Sequence, residues 1–197
     1  MTDANFSCRC GKVAGRAVAV DQPPGNHVVC YCRDCRAFAR ACGGDALDGA
    51  GGTELYQTTI GKVTLERGTE HLAAMRLSKR GPVRWYASCC DTALLNTMPS
   101  PAVPFTSFVR SALSEEAGTD RALGPVRGSV HTGSALGKPV VPALGGLGLL
   151  GVMANFARLM VGARQRGEHK RSPLHRNGKP IVQPRTPDAE ERERLYA

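Results

Sequence analysis

The sequence predicts a mainly β domain organised around metal-bound thiolates, followed by a C-terminal helical extension. Three observations carry this. Short segments of strand composition and period recur between Val13 and Tyr86. Seven of the eight cysteines fall into three tight clusters at or before Cys90. Beyond Leu113 the strand-like segments stop, and a long apolar stretch and a basic tail replace them. This division places a zinc-binding domain at 1–113 and an irregular arm, an apolar helix and a basic tail at 114–197, packed on or beside it.

The clusters are Cys8-Arg9-Cys10-Gly11, Cys30-Tyr31-Cys32-Arg33-Asp34-Cys35 and Cys89-Cys90. Cys8 and Cys10 stand two residues apart, so on an extended backbone both sulfurs leave the same face. The two-residue gap between Cys32 and Cys35 is the knuckle with which a turn grips one zinc ion. Two separate sites are the natural reading. A disulfide framework competes with it, but that belongs to short secreted chains unable to build a core, and 197 residues can bury one. Thiols so close in sequence rarely bridge without strain. The start, Met1 to Asn5, lacks the basic stretch and apolar run of a signal peptide. The expectation is therefore zinc held by thiols kept reduced in the cytoplasm.

Taken in order, Val13 to Val20 alternates apolar with small or charged residues, as a half-buried strand does. Arg36 to Ala41 reads as a short helical stretch after the second cluster. The glycines of Cys42 to Gly52 make a loop beside that cluster, either a rim for its pocket or a plain connector. Glu54 to Ile60 is rich in Thr and aromatic residues. Lys62 to Glu66, a turn at Arg67 to Glu70, and His71 to Leu77 read as a hairpin. Val83 to Tyr86 then delivers the last cysteines to the sheet edge.

Glu115 to Leu136 shows no sustained period and reads as an irregular arm. Leu144 to Arg164 reads as one helix inside a region, Pro139 to Ala157, that carries no charge. Its length approaches a membrane span, but glycines crowd its first half, and Asn155 and Arg158 interrupt its second. Packing on the body or on a sister subunit comes first among the readings, then peripheral membrane contact, then a true span. The net charge is +9, with an excess of Lys and Arg from Arg164 to Arg185. No aromatic residues interleave with these charges, so nucleic acid is not the expected partner. Pro187 to Tyr196 reads as a short exposed helix. The five histidines are scattered, His27 alone lying near a cysteine cluster. Cys42 reads as a packed thiol within reach of the second cluster, and Asp34 as an exposed side chain or a proton acceptor beside bound thiol.

The order of these motifs resembles the glutathione-dependent formaldehyde-activating enzyme family, which includes the centromere protein V group: Cys-x-Cys-Gly, Cys-x-Cys-x-x-Cys with a short helix, then Trp85-Tyr86 leading to the last cysteines and Leu94. The likeness covers roughly the first 110 residues. It implies a β-tent-like fold with two zinc sites. By the family pattern, Cys8, Cys10 and Cys90 hold a structural zinc, and Cys30, Cys32 and Cys35 hold a second zinc with an open position where a substrate thiol binds. The chain departs from the family at Cys89-Cys90, because Ala87 stands where the pattern has a cysteine. Adjacent strand residues face opposite ways, so Cys89 joins the first metal only if the backbone turns sharply; otherwise the structural zinc takes a different fourth ligand, and Cys89 reads as a buried free thiol.

The resemblance implies a carbon–sulfur lyase acting on a small-molecule thiol or thiol–aldehyde adduct, glutathione and formaldehyde being the family's reactants. The alternative is a non-catalytic zinc-scaffolded interaction module with a basic helical tail. A second site closed by a fourth protein ligand, Cys42 for example, would favour the module.

Overall fold

The computed structural model describes residues 1–79 and 81–197. The strands in chain order are β1 (Ala4–Ser7), β2 (Ala14–Ala17), β3 (Asn26–Cys30), β4 (Thr53–Thr59), β5 (Val63–Arg67), β6 (Leu72–Met75), β7 (Val83–Ala87), β8 (Thr92–Thr97), β9 (Phe105–Val109), β10 (Ser129–Val130), β11 (His175–Arg176) and β12 (Lys179–Pro180). The helices are α1 (Arg33–Ala41), α2 (Ala117–Leu123), α3 (Gly146–Gln165) and α4 (Ala189–Tyr196). The fold is mainly β. Among the described residues the strands form a three-stranded sheet β1-β2-β5, a seven-stranded sheet β10-β3-β4-β9-β8-β7-β6 and the ribbon β11-β12.

Both faces of the large sheet are covered. Neighbouring strand residues point to opposite faces, and Tyr56, Phe108 and Ala74 join a core shared with Phe6, Val13 and Val63 of the small sheet and its loops. Their chain neighbours Leu55, Val109 and Met75 join a second core with Ala37 and Phe38 of α1 and Leu195 of α4. The Phe6 and Phe108 rings meet at 5.5 Å, tying the sheets together.

The expected hairpin between Lys62 and Leu77 is not formed, although both its arms are strands. β5 pairs with β2 in the small sheet, and β6 pairs with β7 in the large one. Gly68, with φ 78°, and the tight turn Thr69–His71 carry the chain from one sheet to the other. A Cβ at Gly68 would lie 2.2 Å from the Lys12 carbonyl, so the crossing requires glycine there. Nor is β7 at the sheet edge: β6 lies outside it.

The segment after Leu113 builds onto this body. β10 pairs in parallel with β3, placing Val130 opposite Cys30. α3 is long and apolar enough to cross a membrane by length and composition. It buries Val152, Leu159 and Ala163 and leaves Leu147 87% and Leu150 65% exposed. The chain then returns to place Leu174 in the main core. Arg185 pairs with β6: the Arg76 N–H donates to its carbonyl and its own N–H donates to the Ala74 carbonyl, each at 2.9 Å. The last helix forms where expected and most of its residues are exposed, but α4 also buries Leu195 and packs on α1.

Removal of residues 137–197 is accordingly expected to bare the β6 edge and leave a hole where Leu174 sits. The truncated protein should melt lower or aggregate in a light-scattering assay, and the full chain should stay in solution without detergent. Recovery of the full chain only with membranes would overturn this.

Candidate metal centres

The first centre joins two turns far apart in sequence. Cys8 and Cys10 do not lie on an extended backbone as expected: they sit in a turn after β1, closed by the Gly11 N–H donating to the Cys8 carbonyl at 2.9 Å. Cys89 and Cys90 lie in the turn between β7 and β8, where Asp91 adopts φ 49°. That sharp turn brings Cys89 to the same point as Cys90. The Cys89 sulfur is 3.8 Å from that of Cys8, 3.3 Å from that of Cys10 and 3.9 Å from that of Cys90, and Cys8 to Cys10 is 3.6 Å. Four sulfurs around one tetrahedral zinc at its usual bond length stand ~3.8 Å apart, so the set could hold a metal ion after small side-chain shifts.

Hydrogen bonds hold the cage. The Val13 N–H donates to the Cys8 sulfur at 3.2 Å, and the Thr92 hydroxyl lies 3.2 Å from that of Cys90. Burial opposes the Cys90 thiolate, but hydrogen bonds from Thr92 and the Cys10 N–H outweigh it and pull the thiol down to about 6. Arg9 clamps the two turns, donating to the Cys90 carbonyl at 2.6 Å and pairing with Asp45. Ala87 is a buried residue within β7.

The second centre is built at the junction of β3 and α1. Cys30 ends β3, Cys32 caps α1 by accepting the Cys35 N–H at 3.3 Å, and Cys35 stands in the first helical turn, which begins three residues before the expected Arg36. All three sulfurs lie within 4.8 Å of one another. Hydrogen bonds to Cys32 and Cys35, then burial, push the Cys30 thiol up. Hydrogen bonds from Cys30 and Cys35 pull Cys32 down to about 2. For Cys35 the hydrogen bond from Cys30 lowers it, but that to Cys32 and burial prevail, giving about 11. Protons are thus shared so that charge collects on Cys32, and ionising all three sulfurs together would need a cation among them.

Among the described residues no fourth His, Cys, Asp or Glu joins this set. Cys42 caps the far end of α1, buried apart from it. His27 is engaged elsewhere, its Nδ1 at 2.7 Å from the Gly124 carbonyl and its Nε2 at 2.6 Å from Glu54. Asp34 accepts the Tyr196 hydroxyl at 2.5 Å, so it is neither free nor simply exposed.

The three cysteines line an open cleft of about 370 Å³ together with Arg84, Asn96 and Ser107. The glycine-rich loop is not its rim. Asp45, Ala46, Leu47, Asp48 and Gly52 instead line a separate cavity with Arg110, and Asp48 accepts the Tyr31 hydroxyl at 2.7 Å. Arg84 is only 3% exposed. Its Nη1 lies 3.8 Å from the Cys35 sulfur and donates to Asn96 Oδ1 at 3.2 Å, while its Nε has no partner among the described residues. Asn96 is held in turn by the Ser107 hydroxyl at 3.0 Å.

Sequence reasoning missed Arg84, Asn96 and Tyr196. The available signal was a charged residue inside the strand run Val83-Arg84-Trp85-Tyr86. A guanidinium buried in a strand needs an anionic or polar partner, and thiolates provide one.

A family model described as a family of unknown function (DUF6151) matches residues 2–184. A comparison with functionally curated proteins gives no match. Among solved structures, a crystal structure of a Rhodobacter sphaeroides protein is similar at 19% identity and a TM-score of 0.43, covering 62% of this chain and 96% of that one.

Proposed function

The chain belongs to the DUF6151 family of unknown function, and from its second metal centre we propose that it is a zinc enzyme of carbon–sulfur lyase type acting on a thiol–aldehyde adduct. The observation that carries this is the incomplete ligand set: three cysteines at an open cleft, with the buried Arg84 guanidinium beside them and no fourth ligating residue among the described residues. The four-cysteine centre is closed and suits a structural metal; three protein ligands are the mark of a reactive one. The likeness of the cysteine motifs to glutathione-dependent formaldehyde-activating enzymes supports the same reading.

Zinc held by Cys30, Cys32 and Cys35 would favour a substrate thiol as its thiolate. Arg84, itself buried, adds a fixed positive charge where negative charge develops. Asn96, its Oδ1 accepting from Arg84 and its Nδ2 donating to Ser107, holds that guanidinium in place beside the sulfurs. In a hemithioacetal the carbon–sulfur bond breaks with its electron pair going to sulfur, the hydroxyl gives up its proton and the carbonyl forms. No oxidant or reductant enters, and the reverse step forms the adduct. Glutathione and formaldehyde are the reactants the resemblance points to, with the cytoplasm as the reducing setting. The rival reading is a zinc-scaffolded interaction module contacting a sister subunit or a membrane surface, and the exposed apolar side of α3 is the observation in its favour.

Exchange NMR on glutathione and formaldehyde, with and without protein, tests the proposal. Acceleration is expected, and Cys32→Ser should abolish it with the fold retained, because serine still caps α1 while losing the metal-binding sulfur. If no thiol in a panel of small thiols exchanges faster or contacts the cysteine cleft, the interaction module replaces the enzyme.

A further inference from the structure

A second cleft of about 550 Å³ adjoins the cysteine cleft. Leu144, Leu149, Val152, Met153 and Phe156 line it, largely from α3. Gln57 and His131 line both clefts. Phe105, on the cysteine side, packs its ring against that of Phe156, on the α3 side, at 5.6 Å. The backbone explains the junction. β10 runs beside β3 until Val130 stands opposite Cys30, and the chain then turns through His131 at φ 58°, a left-handed conformation uncommon for any residue but glycine.

We propose that the two clefts are one bipartite site, in which the sulfur end of the substrate sits at Cys30, Cys32 and Cys35 and an extended apolar chain passes Gln57 and His131 into the cleft under α3. This rests on the thiol reading above and, in place of glutathione, makes the preferred substrates thiol adducts that carry a long alkyl or similar apolar group. Volume supports it: the α3 cleft alone falls within the ~300–1,000 Å³ of pockets that take drug-sized ligands, far more than a one-carbon aldehyde fills. Chemistry supports it too. Among the described residues no Asp, Glu, Lys or Arg lines the α3 cleft, so a carboxylate-bearing tail would be desolvated there without a partner, whereas an alkyl chain gains from burial. The half-exposed Leu149 and Met153 on α3 then have an occupant.

The test uses the full zinc-loaded chain and straight-chain thiols from ethanethiol to octanethiol, with binding followed by calorimetry and by the methyl NMR signal of Met153. Affinity is expected to rise roughly three- to fourfold per added methylene until the cleft is full. The Met153 methyl should shift with the longer thiols only. Met153→Glu, at a position 57% exposed and so free of core packing, should flatten the chain-length dependence. Equal affinity for short and long thiols, with the Met153 signal unmoved, overturns the bipartite site and leaves the thiol-binding centre standing. Absence of binding by every thiol overturns both.

Discussion

Cys8→Ser protein is expected to melt ~6–20 °C below the wild type, or to show no cooperative transition at all. Cys8 is 2% exposed and belongs to the main core, and its sulfur also accepts the Val13 N–H. Through the four-cysteine centre it ties the turn after β1 to the turn between β7 and β8, and so the small sheet to the large one. A structural zinc supplies ~10–16 kcal/mol in small zinc-folded peptides. Losing even a third of that, ~3–5 kcal/mol, is a large part of the ~5–15 kcal/mol that holds a domain folded. At ~2–4 °C per kcal/mol for a chain of this size, the shift follows. Cys35→Ser should cost less, because its centre joins only the end of β3 to the start of the neighbouring α1. Elemental analysis of freshly isolated reduced protein should find about two zinc per chain, and less than about one would refute the two-site reading. Scanning calorimetry placing Cys8→Ser within ~2 °C of wild type would show that the first centre is not structural.

Trp85→Ala should be nearly as damaging by a different route. Trp85 is fully buried in β7, opposite Leu95 of β8, and its indole N–H donates to the Thr97 hydroxyl at 2.9 Å. Truncating a core tryptophan costs ~3–5 kcal/mol in lost burial and residual cavity, and the orphaned Thr97 hydroxyl adds to this. Urea unfolding followed by circular dichroism should show the loss as a lower midpoint. Trp85→Phe keeps most of the ring volume and forfeits chiefly the hydrogen bond, so it should lose ~1–2 kcal/mol. Equal effects of Ala and Phe would mean that the hydrogen bond and not the cavity dominates.

The candidate metal ligands were readable from short spacings. Cys32 and Cys35 are separated by one helical turn whatever the rest of the chain does, and Cys30 precedes them by a residue pair. The mainly β class was likewise written in local composition, and α3 in the charge-free run that contains most of it. What escaped was everything whose partner lies far along the chain. β3 escaped because it is buried on both faces and so shows no alternation. The hairpin between Lys62 and Leu77 was misread because a tight turn between two strands looks the same whether it joins partners or crosses between sheets.

Sequence alone therefore determined the ligand types, their grouping and the β character of the body, since these depend on covalent spacing and residue chemistry. Tertiary structure alone decided that Cys89 joins Cys8, Cys10 and Cys90, that Cys42 and His27 stand apart from the second centre, and that Arg84 and Asn96 face it. Those outcomes depend on which strands pair across tens of residues and on one turn at Asp91. Pairing of that kind is set by the burial of both sheet faces together, a property of the packed whole that no local window contains.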